Sequence, residues 1–142
     1  MTADALISLL DLAPHPEGGW YRQTWIEDPA TGRPAGTCIY FLLKDQGASH
    51  WHRVDATEIW HFYAGAPLIL SLSKDETGPA QDHMLGANLP AERPQIIVPK
   101  GHWQAARTTG SYTLVGCTVS PGFHFEGFEL APPGFDIPRT VD

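Results

Sequence analysis

The chain has 142 residues, with nine Lys and Arg against sixteen Asp and Glu and a formal charge of −7. A chain of that length is expected to form one domain and to bury roughly 70% of its unfolded surface, so it needs neither disulfides nor a structural metal to hold a core. The acidic balance and the absence of any basic cluster argue against a nucleic-acid surface, and no apolar run is long enough for a membrane span.

The chain opens on "TADALISLLD", which reads as one short helix over about residues 3–11. Thr2 is placed to cap it, and Asp4 suits the positive end of its dipole. Leu6, Ile7, Leu9 and Leu10 form its apolar face, and Pro14 and Pro16 end it. Helix signals then stop. Short runs rich in β-branched and aromatic residues predict strands at 19–26, 37–43, 48–54, 57–63, 67–73, 81–85, 94–98, 103–108 and 111–119. They are punctuated by turns such as "DPATGRPAG", "KDQG", "DETGP" and "PKG". Many short strands at this spacing indicate an all-β sandwich or barrel over about residues 19–130. A proline-rich tail from Pro132 is expected to be irregular. Cys38 and Cys117 fit no CxxC pattern and each sits in an apolar run, as small buried hydrophobes in a reducing compartment do. The first residues lack a basic leader with a long apolar stretch, so a cytoplasmic protein is expected.

The densest chemistry lies in "SHWHRVDATEIWHFYAG", residues 49–65. In a regular strand residues i and i+2 share a face, which would point His50 and His52 the same way with Trp51 opposite. On the following strand Glu58, Trp60 and Phe62 share one face, and Ile59, His61 and Tyr63 take the other. Two histidines and a carboxylate joined by a hairpin can ligate a transition metal, or serve as a general base with its orienting acid. They can equally be polar residues of a half-exposed sheet. Aromatic rings beside Glu58 raise its pKa, which favours acid/base work, and a flat ring such as that of Trp60 suits stacking on a sugar. His61 reads as a structural histidine.

A second stretch, "VPKGHWQAA", adds context. Glu58 is followed by six residues and then Gly65, and Pro99 and Gly101 follow downstream. Together the two stretches resemble the two motifs of the cupin superfamily. Five residues separate His52 from Glu58, against the usual three or four, and Gln104 stands at the position of that family's last histidine. "LAPHPEGGWYRQTW", "HRVDATEIWHFYAGAPL", "VPKGHWQAA" and "LVGCTVSPGFHFEGFEL" occur in that order. From about Leu9 to Leu130 they resemble an uncharacterised cupin family of small proteins often labelled as predicted sugar epimerases. The resemblance implies a double-stranded β-helix, or jelly-roll, with a central pocket for a small carbohydrate-like ligand, in a homodimer. "HPEGGWYRQTW" is also similar to the first strand of the dTDP-sugar 3,5-epimerases. Carried over, Gly19, Tyr21 and Gln23 would help hold the sugar, although Gln23 replaces a glutamate and Gly18 an arginine. The same strand could instead cover a dimer partner.

Three functions compete on these residues. In an isomerase or epimerase that moves a proton next to a carbonyl, His52 would be the base and Glu58 would orient it or act as the acid. Tyr21, Gln23, Trp60 and Gln104 would contact the substrate, with no cofactor required. In a metal-dependent cupin, His50, His52, Glu58 and Gln104 would hold a divalent transition metal. In a non-catalytic module the same pocket would sense a metabolite. Tyr112 is a candidate acid near the pocket mouth, while Phe123, Phe125 and Phe128 would seal the barrel end or a dimer face. His15 and His83 are expected at exposed or turn positions, and His124 has no assigned role.

Overall fold

Thr2 caps the N-terminal helix as expected: its hydroxyl oxygen accepts the Ala5 amide at 3.1 Å and starts α1 (Ala3–Leu9). The helix is shorter than predicted. Asp11 takes the left-handed conformation at φ 56°, which turns the chain before either proline is reached. Leu6, Ile7 and Leu10 pack on Leu42 and Leu114, whereas Leu9, expected on the apolar face, is 67% exposed.

The computed structural model describes residues 1–28 and 32–139. Parts of the predicted turn after Ile26 and of the tail, at 29–31 and 140–142, lie outside the described residues. The strands are β1 (Ala13–Pro14), β2 (Trp20–Ile26), β3 (Thr37–Lys44), β4 (Ala48–Val54), β5 (Thr57–Gly65), β6 (Leu68–Ser73), β7 (Gln81–Leu85), β8 (Gln95–Val98), β9 (Trp103–Thr108), β10 (Tyr112–Ser120) and β11 (Phe128–Leu130). One sheet runs β1-β2-β3-β10-β5-β8 and the other β11-β4-β9-β6-β7. The two sheets face each other as the jelly-roll that the sequence predicts. Each predicted strand is present within a residue or two of its expected ends. β1 and β11 were not predicted, because two or three residues carry no readable period.

The interior follows the period of two. Phe41 and Leu43 from β3, Trp60 from β5, Leu68 and Leu70 from β6, Ala106 from β9, and Val115 and Cys117 from β10 form one buried cluster between the sheets. Gly65 ends β5 at φ 91°, where a Cβ would meet the Tyr112 carbonyl oxygen at 2.5 Å. A glycine is therefore needed at the close of the His/Glu stretch.

Among the described residues the tail from Pro132 has no regular element, as expected, but those residues are firmly seated. Ile137 is fully buried with Trp51, Ala80, Trp103 and Ala131 on the outside of the second sheet. Asp136 accepts the Trp51 indole N–H at 2.8 Å, and Arg139 reaches Asp82 and Asp136. Ile137→Ala should therefore lower the unfolding free energy by about 2–5 kcal/mol in urea titrations. A loss under about 0.5 kcal/mol would mean that the tail is not seated in this way.

Candidate active site

The site begins at the turn His15–Pro16–Glu17–Gly18 between β1 and β2. The His15 carbonyl accepts the Gly18 amide at 3.0 Å, Pro16 supplies the fixed φ of the first central position, and Gly18 adopts φ 104°. A Cβ on Gly18 would run into the Ala48 carbonyl oxygen, so this glycine lets the turn lie directly against β4. The Glu17 carbonyl then accepts the His50 amide at 2.7 Å. The result directs two side chains inward that sequence reasoning had left without chemistry, His15 and Glu17. His15 thus stands at a turn, as expected, but its side chain is only 6% exposed and that of Glu17 8%.

β4 supplies the next group, with a correction. Ser49 pairs with Ala106 of β9, but His52 pairs with Gln104, so β4 holds one residue more than its partner. This β-bulge breaks the alternation. Ser49, His52 and Val54 face inward, while His50 and Trp51 both face the tail. His50 and His52 therefore do not share a face. His50 Nε2 bonds the Pro132 carbonyl at 3.0 Å and plays no part in the cavity. Replacing it, as His50→Ala, should leave ligand binding and any activity unchanged and cost about 1 kcal/mol, readable as a small drop in thermal midpoint. A large loss of binding would place His50 in the site after all.

His52 is buried and bonded at both nitrogens. Nδ1 lies 2.7 Å from the His50 carbonyl, which can only accept, and Nε2 lies 2.9 Å from Glu17 Oε2. Both nitrogens therefore donate, and the ring is an imidazolium. Burial works against that charge, but the charge and hydrogen bond of Glu17, together with Glu58, lift the His52 pKa to about 9. Burial works against the Glu17 charge too, yet His52 outweighs it and holds that carboxyl below the ordinary range. His52 thus has no nitrogen free to take a proton.

Glu58 sits on the inward face of β5 with Trp60 and Phe62, while His61 faces outward to Thr118, as the alternation predicts. The Trp60 indole N–H donates to Gln104 Oε1 at 2.8 Å, and Gln104 Nε2 donates to Glu58 Oε1 at 2.9 Å. An indole can only donate, so the amide orientation is forced and Glu58 Oε1 can only accept. Any proton on Glu58 must then ride on Oε2, the oxygen that Gln104 leaves free, with the Cys117 thiol within reach of the carboxyl. Burial raises the Glu58 pKa to about 7, opposed by the His52 charge and assisted by that of Glu17. Trp60 is 1% exposed and packs edge-on against Phe41, and Gln104 is fully buried. Neither lines the cavity, so the expected substrate contacts of Trp60 and Gln104 are not made. Both residues instead orient Glu58.

These groups face a cavity of about 180 Å³ lined by His15, Glu17, Tyr21, Gln23, Thr37, Ile39, His52, Val54, Glu58, Cys117, Val119, Phe123 and Phe125. Tyr21 and Gln23 reach it as the sequence predicts, and Phe123 and Phe125 cover part of it. Tyr112 does not, since it packs with the helix at the other end of the molecule. His83 is half-buried on β7, and His124 lies between Asp55 at 3.2 Å and Glu126 at 3.4 Å. Burial pushes the Cys117 thiol well above the ordinary range, so it stays protonated beside Glu58.

The family model described as Cupin superfamily (DUF985) matches residues 4–131. This chain belongs to that family. The cupin is similar to a crystal structure of a Shewanella oneidensis protein, with 40% identity and a TM-score of 0.86 over 92% of this chain and 85% of that one. It is also similar to a hypothetical protein from Leishmania major, with 32% identity and a TM-score of 0.84 over 95% and 90% of the two chains. Oxalate decarboxylase from Bacillus subtilis shares the fold at 14% identity, with a TM-score of 0.65 over 85% of this chain and 30% of that one. No curated protein matches the chain.

For this cupin the expected metal ligands do not fit together. His50 points to the tail, both nitrogens of His52 already donate, and the Gln104 carbonyl oxygen is taken by the Trp60 indole. Among the described residues no group of three or more His, Cys, Asp or Glu is arranged to hold a metal ion.

Proposed function

We propose that this cupin is a small-molecule isomerase or epimerase that moves a proton at a carbon next to the carbonyl of a compact, carbohydrate-like compound. The observation that carries the reading is Glu58: a buried carboxyl with a pKa of about 7 that lines a small cavity, with one oxygen anchored by Gln104. A base with a pKa near the working pH gives general acid–base catalysis its best compromise between protonation state and driving force. The role of base thus passes from His52 to Glu58. The Glu17–His52 pair stands beside it as a fixed, internally neutralised dipole that helps to set the Glu58 pKa. Tyr21 and Gln23 are placed to hold the ligand. The reading needs no cofactor.

The test is proton exchange. The protein is incubated in deuterated water with a panel of keto-sugars and followed by NMR, and selective loss of the proton next to the carbonyl is expected. Ligands that bind without any exchange would overturn this reading in favour of a metabolite-sensing module.

We also propose a homodimer formed through β2. β1 covers only Trp20 and Tyr21, so the outer edge of the rest of β2 is open, and Trp25 and Ile26 are 49% and 51% exposed. Sedimentation equilibrium should return twice the 15.6 kDa chain mass, and a monomer at micromolar concentration would refute the assembly. No helix among the described residues is long and apolar enough to cross a membrane. Free thiols at Cys38 and Cys117 support a reducing compartment such as the cytoplasm.

A further inference from the structure

His15 and Glu17 leave the same turn and face the same cavity, but only Glu17 has a part in the reaction proposed above. We infer that His15 is a second catalytic group: its neutral ring donates Nε2–H to the carbonyl oxygen of an uncharged carbonyl substrate while Glu58 takes the proton from the adjacent carbon. This rests on the proton-transfer reading and assigns it a second group and a substrate class.

The first observation is the tautomer. The Glu17 backbone amide donates to His15 Nδ1 at 3.1 Å. An amide can only donate, so Nδ1 carries no proton and the neutral ring carries it on Nε2. The second is the ring's setting. It packs edge-on against Tyr21 at 4.4 Å and against Phe41 at 6.0 Å and Phe128 at 6.1 Å, so its orientation is fixed. Nε2 makes no hydrogen bond among the described residues, yet it is not one of the sealed, unpartnered side-chain atoms there, which are Ser49 Oγ and Trp103 Nε1. The ring is otherwise buried, and the opening left to Nε2 is the cavity that His15 lines. Burial also lowers the pKa of this histidine, opposed by Glu17 and reinforced by His52, which keeps the ring neutral.

The third observation concerns charge. Among the described residues the cavity wall contains Glu17 and Glu58 but no lysine or arginine. His52 is neutralised by Glu17, so nothing there can compensate a phosphate or carboxylate. The substrate is therefore an uncharged aldose, ketose or similar hydroxy-carbonyl compound, not a sugar phosphate or nucleotide-linked sugar.

The step balances within these groups. Glu58 Oε2 takes the proton, the C–H electron pair becomes the C=C bond of an enolate, and the carbonyl π pair moves to oxygen. There His15 Nε2–H hydrogen-bonds it without giving up its proton. Return of the proton from Glu58 to the former carbonyl carbon, while the hydroxyl proton of the neighbouring carbon passes to the enolate oxygen that His15 holds, gives the isomer. A neutral imidazole matches this use, because a rigid N–H donor aimed at a developing oxyanion acts where water is excluded.

A purely structural His15 would serve only to hold the Glu17 amide, and two variants separate the roles. In His15→Asn the short side chain can still accept the Glu17 amide two residues on but offers no donor at the Nε2 position. In His15→Gln the longer side chain places an amide N–H close to that position. The full-length protein is assayed by exchange in deuterated water with dihydroxyacetone, xylulose and fructose. With whichever ketose the unaltered protein exchanges, His15→Asn should lower kcat by about 10²–10³-fold with little change in KM, and His15→Gln should retain at least about tenfold more activity than His15→Asn. Long-range 15N spectra of histidine-labelled protein at neutral pH should show the Nε2–H tautomer for His15. Wild-type kcat in His15→Asn, or an Nδ1–H or imidazolium ring for His15, would overturn the assignment and leave Glu58 untouched. Exchange of a sugar phosphate in preference to every ketose would overturn the substrate class. No exchange by the unaltered protein with any bound ketose would instead remove the proton-transfer reading, and His15 catalysis with it.

Discussion

Glu58→Gln should lower proton exchange by about 10²–10⁴-fold and, at pH 8, make the protein more stable than the wild type. The two effects have one cause. The substituted amide keeps an oxygen to accept the Gln104 N–H, so the hydrogen-bond chain that runs from Trp60 through Gln104 survives, but the proton carrier is gone. The stability change follows from the raised pKa. Below its ordinary value of 4.5, Glu58 is protonated both folded and unfolded and contributes no pH-dependent cost. As pH rises from 4.5 to about 7 the unfolded chain releases this proton while the folded one holds it, so stability falls. Above about 7 the whole penalty is present, about 3 kcal/mol from the size of the shift at 1.36 kcal/mol per unit. Urea midpoints of the two proteins should converge at pH 4.5 and separate at pH 8, with the variant ahead. Equal stability at both pH values would mean that Glu58 is not buried as an acid, and the case for it as base would go too.

His52→Ala should be the most destabilising change in the site, at about 3–5 kcal/mol at pH 7. It leaves Glu17 and Glu58 buried with no cation between them. The wild-type pair is stable over a window bounded on both sides. The raised pKa of His52 gives stability that is complete below 6.5 and is lost as pH rises through about 9. The lowered pKa of Glu17 gives stability present above its ordinary value of 4.5 and lost as pH falls through its depressed folded value. The defect in His52→Ala should therefore shrink in acid, where the orphaned carboxyls protonate. Adding Glu17→Gln should recover part of it at pH 7, since a neutral amide replaces one buried charge. Urea unfolding of the two single variants and the double variant at both pH values measures this. Strictly additive losses would show that Glu17 and His52 do not act as a pair.

The fold was legible because most strands keep a clean period of two between glycine and proline turns. Glu58 was legible for the same reason: nothing interrupts the alternation from Thr57 to Tyr63. His50 misled because an extra residue in a strand has no signature in its own sequence, and only the pairing with β9 reveals it. Trp60 was placed on the right face and Gln104 at the end of the second motif, but both were read as ligand contacts, whereas the structure ties them to each other. Their mutual hydrogen bond spans two sheets, and nothing local in either strand announces it. Glu17 and His15 were missed although the signal was present. Pro16 and Gly18 mark a tight turn, and a tight turn that brings two polar side chains back over the next strand could have been read as part of a site.

The bulge in β4 places the extra residue of that strand on the side of the tail, not of the pocket. Deleting one residue at 50 or 51 would leave Ser49 and His52 two apart, both facing inward and still opposite Ala106 and Gln104 of β9. The cavity would keep that wall, whereas the tail would lose either the Pro132 contact of His50 or the Asp136 contact of Trp51. Divergence within such a scaffold is therefore free to change the length of this strand together with the segment packed on its outer face. In a relative with the regular strand, a histidine two positions after the serine, not three, would stand where His52 stands.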